Sequence, residues 1–297
     1  MNRPVTLRKC LGSLAAQTVV PGEVVVVHAG TDEQLGAELQ REYAAAPFAL
    51  KYVRTQPSLV RQRMLGIANG TGEVVFFLDD DVVLEPAYCE RILAVYAADA
   101  AGEIGGVQGS ITYVPPLVRG SPLLRRVFML ARMGKRGYLQ RSGFPCHSLS
   151  VSKRTDVEVF SGCMMSYRRR VLEIHQFDMA LRDRWWGDDW DLSYRVSRAA
   201  RLVQLPDARL AHEQAEAGRD SVRRTWRMMV VNHHYLYRKL LRSAGQGWLP
   251  WAWAEAGLWL LALMRFLTGR GTAALEGMAG GFGDLYRGVG RQDAPLS

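Results

Sequence analysis

The sequence predicts an α/β fold, a mostly parallel sheet with helices on both faces, followed by an amphipathic helical tail. Three observations predict it. Short apolar runs alternate with segments of helical period from the N-terminus to Asp81. One such run, GEVVFFLDDD, ends in three consecutive aspartates, Asp79 to Asp81, at the kind of strand end where open α/β sheets bind ligands. The last quarter gathers tryptophans, arginines and an apolar stretch.

Each element has its own signal. Leu7, Leu11, Leu14 and Ala15 recur at helical spacing, with Pro4 suited to a first turn. Val24 to Val27 form a short, fully apolar strand, followed by a polar turn and a helix through LGAELQREYAAA. FALKYVRT reads as a second strand. LVRQRMLGIANGTG reads as a short helix ended by Asn69 and Gly70, and EVVFFLDDD as a third, buried strand. Residues 111–160 lose periodicity and collect Pro, Gly, Ser, Arg and Lys, as functional loops do. A second ordered block runs from VFSGCMMSYRRRVL through LAHE, and SVRRTWRMMVVNHHYLYRKLLR is a basic helix. We therefore divide the chain into a catalytic domain, 1–220, with halves of about 1–110 and 111–220, and a helical tail, 221–297.

Composition sets limits. With 48% hydrophobic and 23% charged residues the chain is globular rather than disordered. The net charge of +9 favours anionic partners without choosing among nucleotides, headgroups and nucleic acid. Cys10, Cys89, Cys146 and Cys163 are scattered, so neither a structural zinc site nor a disulfide framework is indicated and a reduced, cytoplasmic setting fits. The basic N-terminal segment does not read as a secretory signal.

Chemistry is concentrated in two acidic clusters. Asp79 to Asp81 crowd three negative charges, which a hard divalent cation such as Mg²⁺ or Mn²⁺ would offset. The structural alternative is one capping aspartate with the others in water. Asp188, Asp189 and Asp191 open a helix, where carboxylates also satisfy free N–H groups. One cap would suffice there, however, and the flanking Trp185, Trp186 and Trp190 suggest a lined cleft that would raise a carboxylate's pKa.

At this point several segments, in order, resemble the inverting glycosyltransferases of family 2, which have the GT-A fold. RQRMLGIANGTGEVVFFLDDD resembles that family's approach to its D-x-D motif, FSGCMMSYRR its Gly-rich strand, and GDDWDLSYR its E-D-x-D-L-x-x-R motif, with Asp188 in place of Glu. The resemblance runs from NRPVTLRKCLGSLAAQT to about AHEQ. It implies a donor site of Asp79, Asp80 and Arg63, although Met64 stands where the family often has Asn. It implies a metal held by Asp81 and His212, a general base at Asp189, and Asp188 orienting the acceptor or that base. Gly162, Trp186 and Asp191 fall on the acceptor side. The implied reaction moves one hexose or deoxyhexose from a nucleotide-sugar donor to a glycan or lipid-linked acceptor in cell-surface glycan or polysaccharide synthesis. A single inverting displacement needs no protein nucleophile, and no Ser/His or Cys/His constellation is evident.

Departures from the family pattern matter too. The resemblance implies that the family's usual first strand is lacking, which leaves an impaired homologue as one alternative. His28 stands where the family often has an aspartate for the base, and RRTWR does not match the processive Q-x-x-R-W motif. About nine apolar residues between Glu255 and Arg265 make roughly 13 Å of helix, too short for a ~30 Å hydrocarbon core. The tail is expected to attach peripherally to the inner face of the membrane. DDDVV also fits a haloacid-dehalogenase-type phosphatase motif, the principal rival, while a nucleic-acid-binding role has only basic charge behind it.

Overall fold

The computed structural model describes residues 3–113, 121–181, 186–213 and 221–288. The N-terminal half is α1 (Pro4–Ala15), β1 (Glu23–His28), α2 (Leu35–Glu42), β2 (Ala49–Arg54), α3 (Leu59–Asn69), β3 (Val74–Leu78), β4 (Val82–Leu84), α4 (Tyr88–Ala97) and β5 (Ile104–Tyr113). Next come α5 (Pro122–Val127), β6 (Arg132–Met133), β7 (Tyr138–Leu139), β8 (Pro145–His147), β9 (Thr155–Val157), β10 (Met164–Arg168) and α6 (Arg169–Ile174). The chain continues with α7 (Asp188–Ser197), β11 (Arg201–His212) and α8 (Val222–Tyr237), a π-helical turn (Arg238–Arg242), α9 (Leu249–Leu267) and α10 (Ala273–Tyr286).

The α/β expectation holds, but the sheet is mixed where the sequence pattern suggested mostly parallel strands. One sheet has the order β3-β10-β5-β11-β4, with β9 also on β11. Only β5 and β11 pair in parallel there; β10 with β3 and β5, and β11 with β4 and β9, are antiparallel. A parallel neighbour requires a crossover, usually helical. β10 instead enters after a long excursion through α5 and β6 to β9, so no crossover aligns it with β3. That excursion is not wholly irregular, since β6, β8 and β7 form a small sheet of their own.

β1 and β2 pair in parallel as a separate two-stranded sheet. Thus, among the described residues, β1 and β3 are each paired on one side only. Polar side chains satisfy some of the backbone groups left over. Gln62 of α3 donates to the Val27 carbonyl at 2.8 Å, and Glu23 accepts from the Gly72 amide at 3.0 Å.

Local chemistry explains the helix starts near the site. The Ser58 and Ser221 hydroxyls accept from the third residue on, Arg61 N–H and Arg224 N–H, capping α3 and α8. Gly187, just before α7, has φ +111°, and a Cβ there would lie 2.5 Å from Leu236 Cδ1. Only glycine holds that turn, which fixes where the acidic helix start points.

Three apolar clusters hold the fold. The first joins α1, α2 and α4 to the sheet through Leu11, Leu39, Ile92, Val107 and Leu210. The second packs Met165, Tyr167, Leu172, Trp190 and Val196 under α6 and α7. The third sets α8, α9 and α10 against Leu130 and Phe144, with Trp186 contacting both it and the second.

Candidate active site

β3 ends at Leu78 and the chain turns through Asp79, Asp80 and Asp81 into β4. Antiparallel pairing of β4 with β11 sets His212 opposite Val82, the residue after Asp81. As a result Asp79, Asp81 and His212 each present a ligand atom within 4.8 Å of the others. His212 Nε2 lies 3.0 Å from Asp81 Oδ1 and 4.0 Å from Asp79 Oδ2. Two hard carboxylate oxygens and an imidazole nitrogen converging in this way fit a divalent cation. The sequence placed Asp79 on the nucleotide rather than the ion; the turn between β3 and β4 instead folds it back beside Asp81 and His212.

Asp80 goes elsewhere. Arg3 Nη1 reaches Asp80 Oδ1 at 3.3 Å and Asp81 Oδ2 at 3.2 Å. Burial raises the Asp79 and Asp80 carboxyls, opposed chiefly by Arg63 and Arg3 respectively and reinforced by Asp81. Burial also works against the His212 imidazolium, but the Asp81 carboxylate and the Cys163 thiol outweigh it and carry its pKa up to about 10. The cluster thus draws in every nearby positive group.

The second cluster opens α7. Asp188 is 2% exposed and pairs with Arg63, itself buried. Arg63 Nη2 also donates to the Gly162 carbonyl at 3.0 Å, and the Gly162 amide donates to Asp189 Oδ2 at 3.0 Å. A Cβ on Gly162 would sit 2.6 Å from Arg63 Nη2, so this close approach needs glycine. Asp189 Oδ1 accepts from the Trp190 amide at 2.9 Å, and Asp189 alone of the three acids is not fully buried. Burial, with the like charge of Asp189, pushes the Asp188 carboxyl up to about 6 against the pull of Arg63.

Asp191 does not belong on the acceptor side. It is fully buried and consumed by Arg195, at 2.7 Å, and Lys239, also at 2.7 Å. The helical turn carries it inward, where it anchors the π-helical turn to α7. Trp186 and Trp190 meet edge to face with centroids 4.4 Å apart, and Phe144 lies 5.6 Å from Trp186. Trp185 lies outside the described residues.

The two clusters are neighbours, joined through β3, β10 and Arg63. Leu78 of β3 pairs with Met164 of β10, so the turn that continues β3 runs beside Cys163 and Gly162, which precede β10. Arg63 links the sides: its guanidinium, penalised by burial, is held charged by Asp188 and then by Asp79 and Asp189. A phosphatase of the rival type would place its nucleophilic aspartate after the first core strand, whereas Asp79 follows β3, an edge strand of the larger sheet.

Sequence reasoning passed over three participants. Arg3 is one, and Cys163 beside His212 is another. The third is His147, whose ring lies 6.1 Å from that of Trp190 and whose Nδ1 is buried with no partner among the described residues. A lone histidine in an irregular stretch carries no spacing signal. His28, at the end of β1, binds Tyr52 Oη through Nδ1 at 2.6 Å and leaves Nε2 buried without a partner among the described residues.

Comparison with known proteins identifies the family and the fold. Residues 1–175 match Glycosyl transferase family 2. A 93-residue stretch is 32% identical to EpsH of Bacillus subtilis (strain 168), covering 31% of this chain and 27% of that protein. The uncharacterized glycosyltransferase YwdF of the same organism is 22% identical over 73% of this chain and 72% of its own. Among solved structures, GalNAc-T7 with UDP, GalNAc and Mn²⁺ superposes with TM-score 0.58 at 16% identity, over 85% of this chain. The chain spans about half, 51%, of that protein. The mannosyltransferase PcManGT from Pyrobaculum calidifontis, in complex with GDP-Man and Mn²⁺, superposes with TM-score 0.53 at 17% identity, over 97% of this chain and 79% of its own.

Proposed function

Because the chain belongs to glycosyl transferase family 2, we propose that it transfers one sugar from a nucleotide-sugar donor to an acceptor hydroxyl with inversion at the anomeric carbon. The observation that carries this reading is Arg63, one buried cation within reach of both acidic clusters. The donor binds at the Asp79 to Asp81 turn and the acceptor enters on the Asp189 side.

Asp79, Asp81 and His212 would hold a divalent cation, Mg²⁺ or Mn²⁺. When bound, such an ion supplies positive charge to the donor diphosphate. The remaining work falls to the protein. Asp189, fixed by the Gly162 and Trp190 amides, keeps a carboxylate oriented toward the crevice. It takes the proton of the acceptor hydroxyl as the oxygen bonds to the anomeric carbon and the bond to the leaving phosphate breaks. Asp188 and Arg63 hold Gly162, and hence Asp189, in place. His28 sits at the end of β1 with Nε2 unpartnered among the described residues and would meet the donor base.

The two neighbouring structures hold UDP with GalNAc and GDP-Man respectively, so UDP- and GDP-linked sugars set the panel for the test. Purified protein should release nucleoside diphosphate from one of these sugars only with Mn²⁺ or Mg²⁺ present. Asp189→Asn should still bind that donor while turnover falls by about 10²- to 10⁴-fold, the usual contribution of a general base. Full turnover in Asp189→Asn would remove the base assignment.

A further inference from the structure

α9 is apolar on two faces. One packs Ala254, Leu258 and Ala262 into the apolar cluster shared with α8 and α10, while Gly257 lies against Phe128 at the end of α5. The other presents Leu249, Trp253, Trp259, Leu263, Phe266 and Leu267 to solvent, with Leu249 80% and Leu267 71% exposed. A helix hydrophobic all round belongs in an apolar environment on every side. A soluble protein seldom leaves so long a stripe uncovered without a partner for it.

The stripe continues onto a second element. Trp253 Nε1 donates to the Val127 carbonyl at 2.9 Å and its ring stacks on Phe128 at 4.8 Å. This brings the end of α5 beside α9, adding Val127, 49% exposed. Charge identifies what covers the face. From Ala244 to Thr272 the single acid is Glu255, which is buried against His233 at 2.6 Å. α5 holds no acid and carries Arg125 and Arg126, while Arg265 and Arg270 flank the far end of α9. Exposed tryptophans on an apolar stripe, bordered by arginines and free of exposed carboxylates, match the boundary between headgroups and acyl chains. No helix among the described residues is long and apolar enough to cross a membrane.

We propose that the α5–α9 face docks on the surface of a lipid bilayer bearing anionic headgroups, with α9 lying in the plane of the interface. Trp186 packs into the apolar cluster that holds the inner face of α9, so the site and the docking helix are joined through one core. Resting on the glycosyltransferase reading, this makes a lipid-linked acceptor the substrate class.

The test uses the whole protein in flotation with phosphatidylcholine vesicles, with and without phosphatidylglycerol. We expect flotation with the anionic vesicles, and binding weakened at least about tenfold in Leu263→Glu/Leu267→Glu, since charge in the apolar layer is costly. Leu249→Asn, at the most exposed position, should weaken it in the same direction. Thermal unfolding and donor hydrolysis should match the parent in both variants, so that loss of binding is separated from loss of fold and from failure of the catalytic reading. Wild-type protein left in the soluble fraction with anionic vesicles would overturn the proposal. So would equal flotation of parent and double variant, or a lipid-free dimer that the double variant splits into monomers, which would assign the face to a second copy of the chain.

Discussion

At the end of β3 the groups of Asp79, Asp81 and His212 converge on one point, whereas at the start of α7 the carboxylates of Asp188, Asp189 and Asp191 go to three different partners. Backbone geometry makes the difference. The tight turn from β3 to β4 folds Asp79 and Asp81 together beside β11, while residues at a helix start fan out around the axis. Clustered aspartates can therefore contribute two groups to one cation site, or go to separate partners, from similar composition. The first cluster keeps its charge concentrated for a ligand; the second spends two of its acids on holding the third.

The strongest way to break this contrast is at Arg63. Arg63→Met strands Asp188 as a buried charge, and the expected cost is about 3–5 kcal/mol of stability, read from urea unfolding. A variant as stable as the parent would mean that Asp188 is not held as described. Next in size is Asp81→Ala. If convergence defines the first cluster, Mn²⁺-dependent binding of nucleoside diphosphate should fall at least about 100-fold, roughly 2.7 kcal/mol, by titration calorimetry. Undiminished binding would separate the acids from the ion.

A smaller effect comes from pH. The Asp188 carboxyl, pushed up to about 6, binds its proton more tightly folded than unfolded. The stability this contributes is complete below its unfolded value of about 3.9 and is lost as pH rises through about 6. From pH 7 to pH 5 the parent should gain about 1 kcal/mol relative to Asp188→Asn. A difference that stays flat across that range would count against the burial of an ionisable Asp188. Smallest of all is Asp80→Asn. Asp80 faces Arg3 rather than His212, so Mn²⁺ affinity should stay within about threefold, less than 1 kcal/mol. A loss as large as that of Asp81→Ala would make the turn a three-acid site.

Local period revealed much of the donor half. The leucines of α1, the valines of β1 and the apolar run of β3 all mark their elements, because each has a buried face of its own. Asp79 to Asp81 could be picked out because charge ending an apolar strand is conspicuous, whereas His212 is singled out only by the family resemblance. Strand direction was not readable, since Met164 to Tyr167 carry the same hydrophobicity whether paired parallel or antiparallel. Nor was the fate of Asp191, which is separated from Asp188 by less than one turn, so both point inward and only a tertiary partner, Lys239, reveals why. The Arg63 to Gly162 bond joins residues 99 apart and has no local trace.

Lys239 stands on the π-helical turn that follows α8 and holds Asp178 as well as Asp191, each at 2.7 Å. Cutting the chain after residue 220 would take this clasp away and leave two inward-facing carboxylates short of their shared ammonium, one of them on the same helix as Asp189. A shortened protein would thus be disturbed at the start of α7 whether or not its C-terminal helices ever touched lipid. Single changes on the outer stripe of α9 avoid that confusion, because they leave the clasp in place.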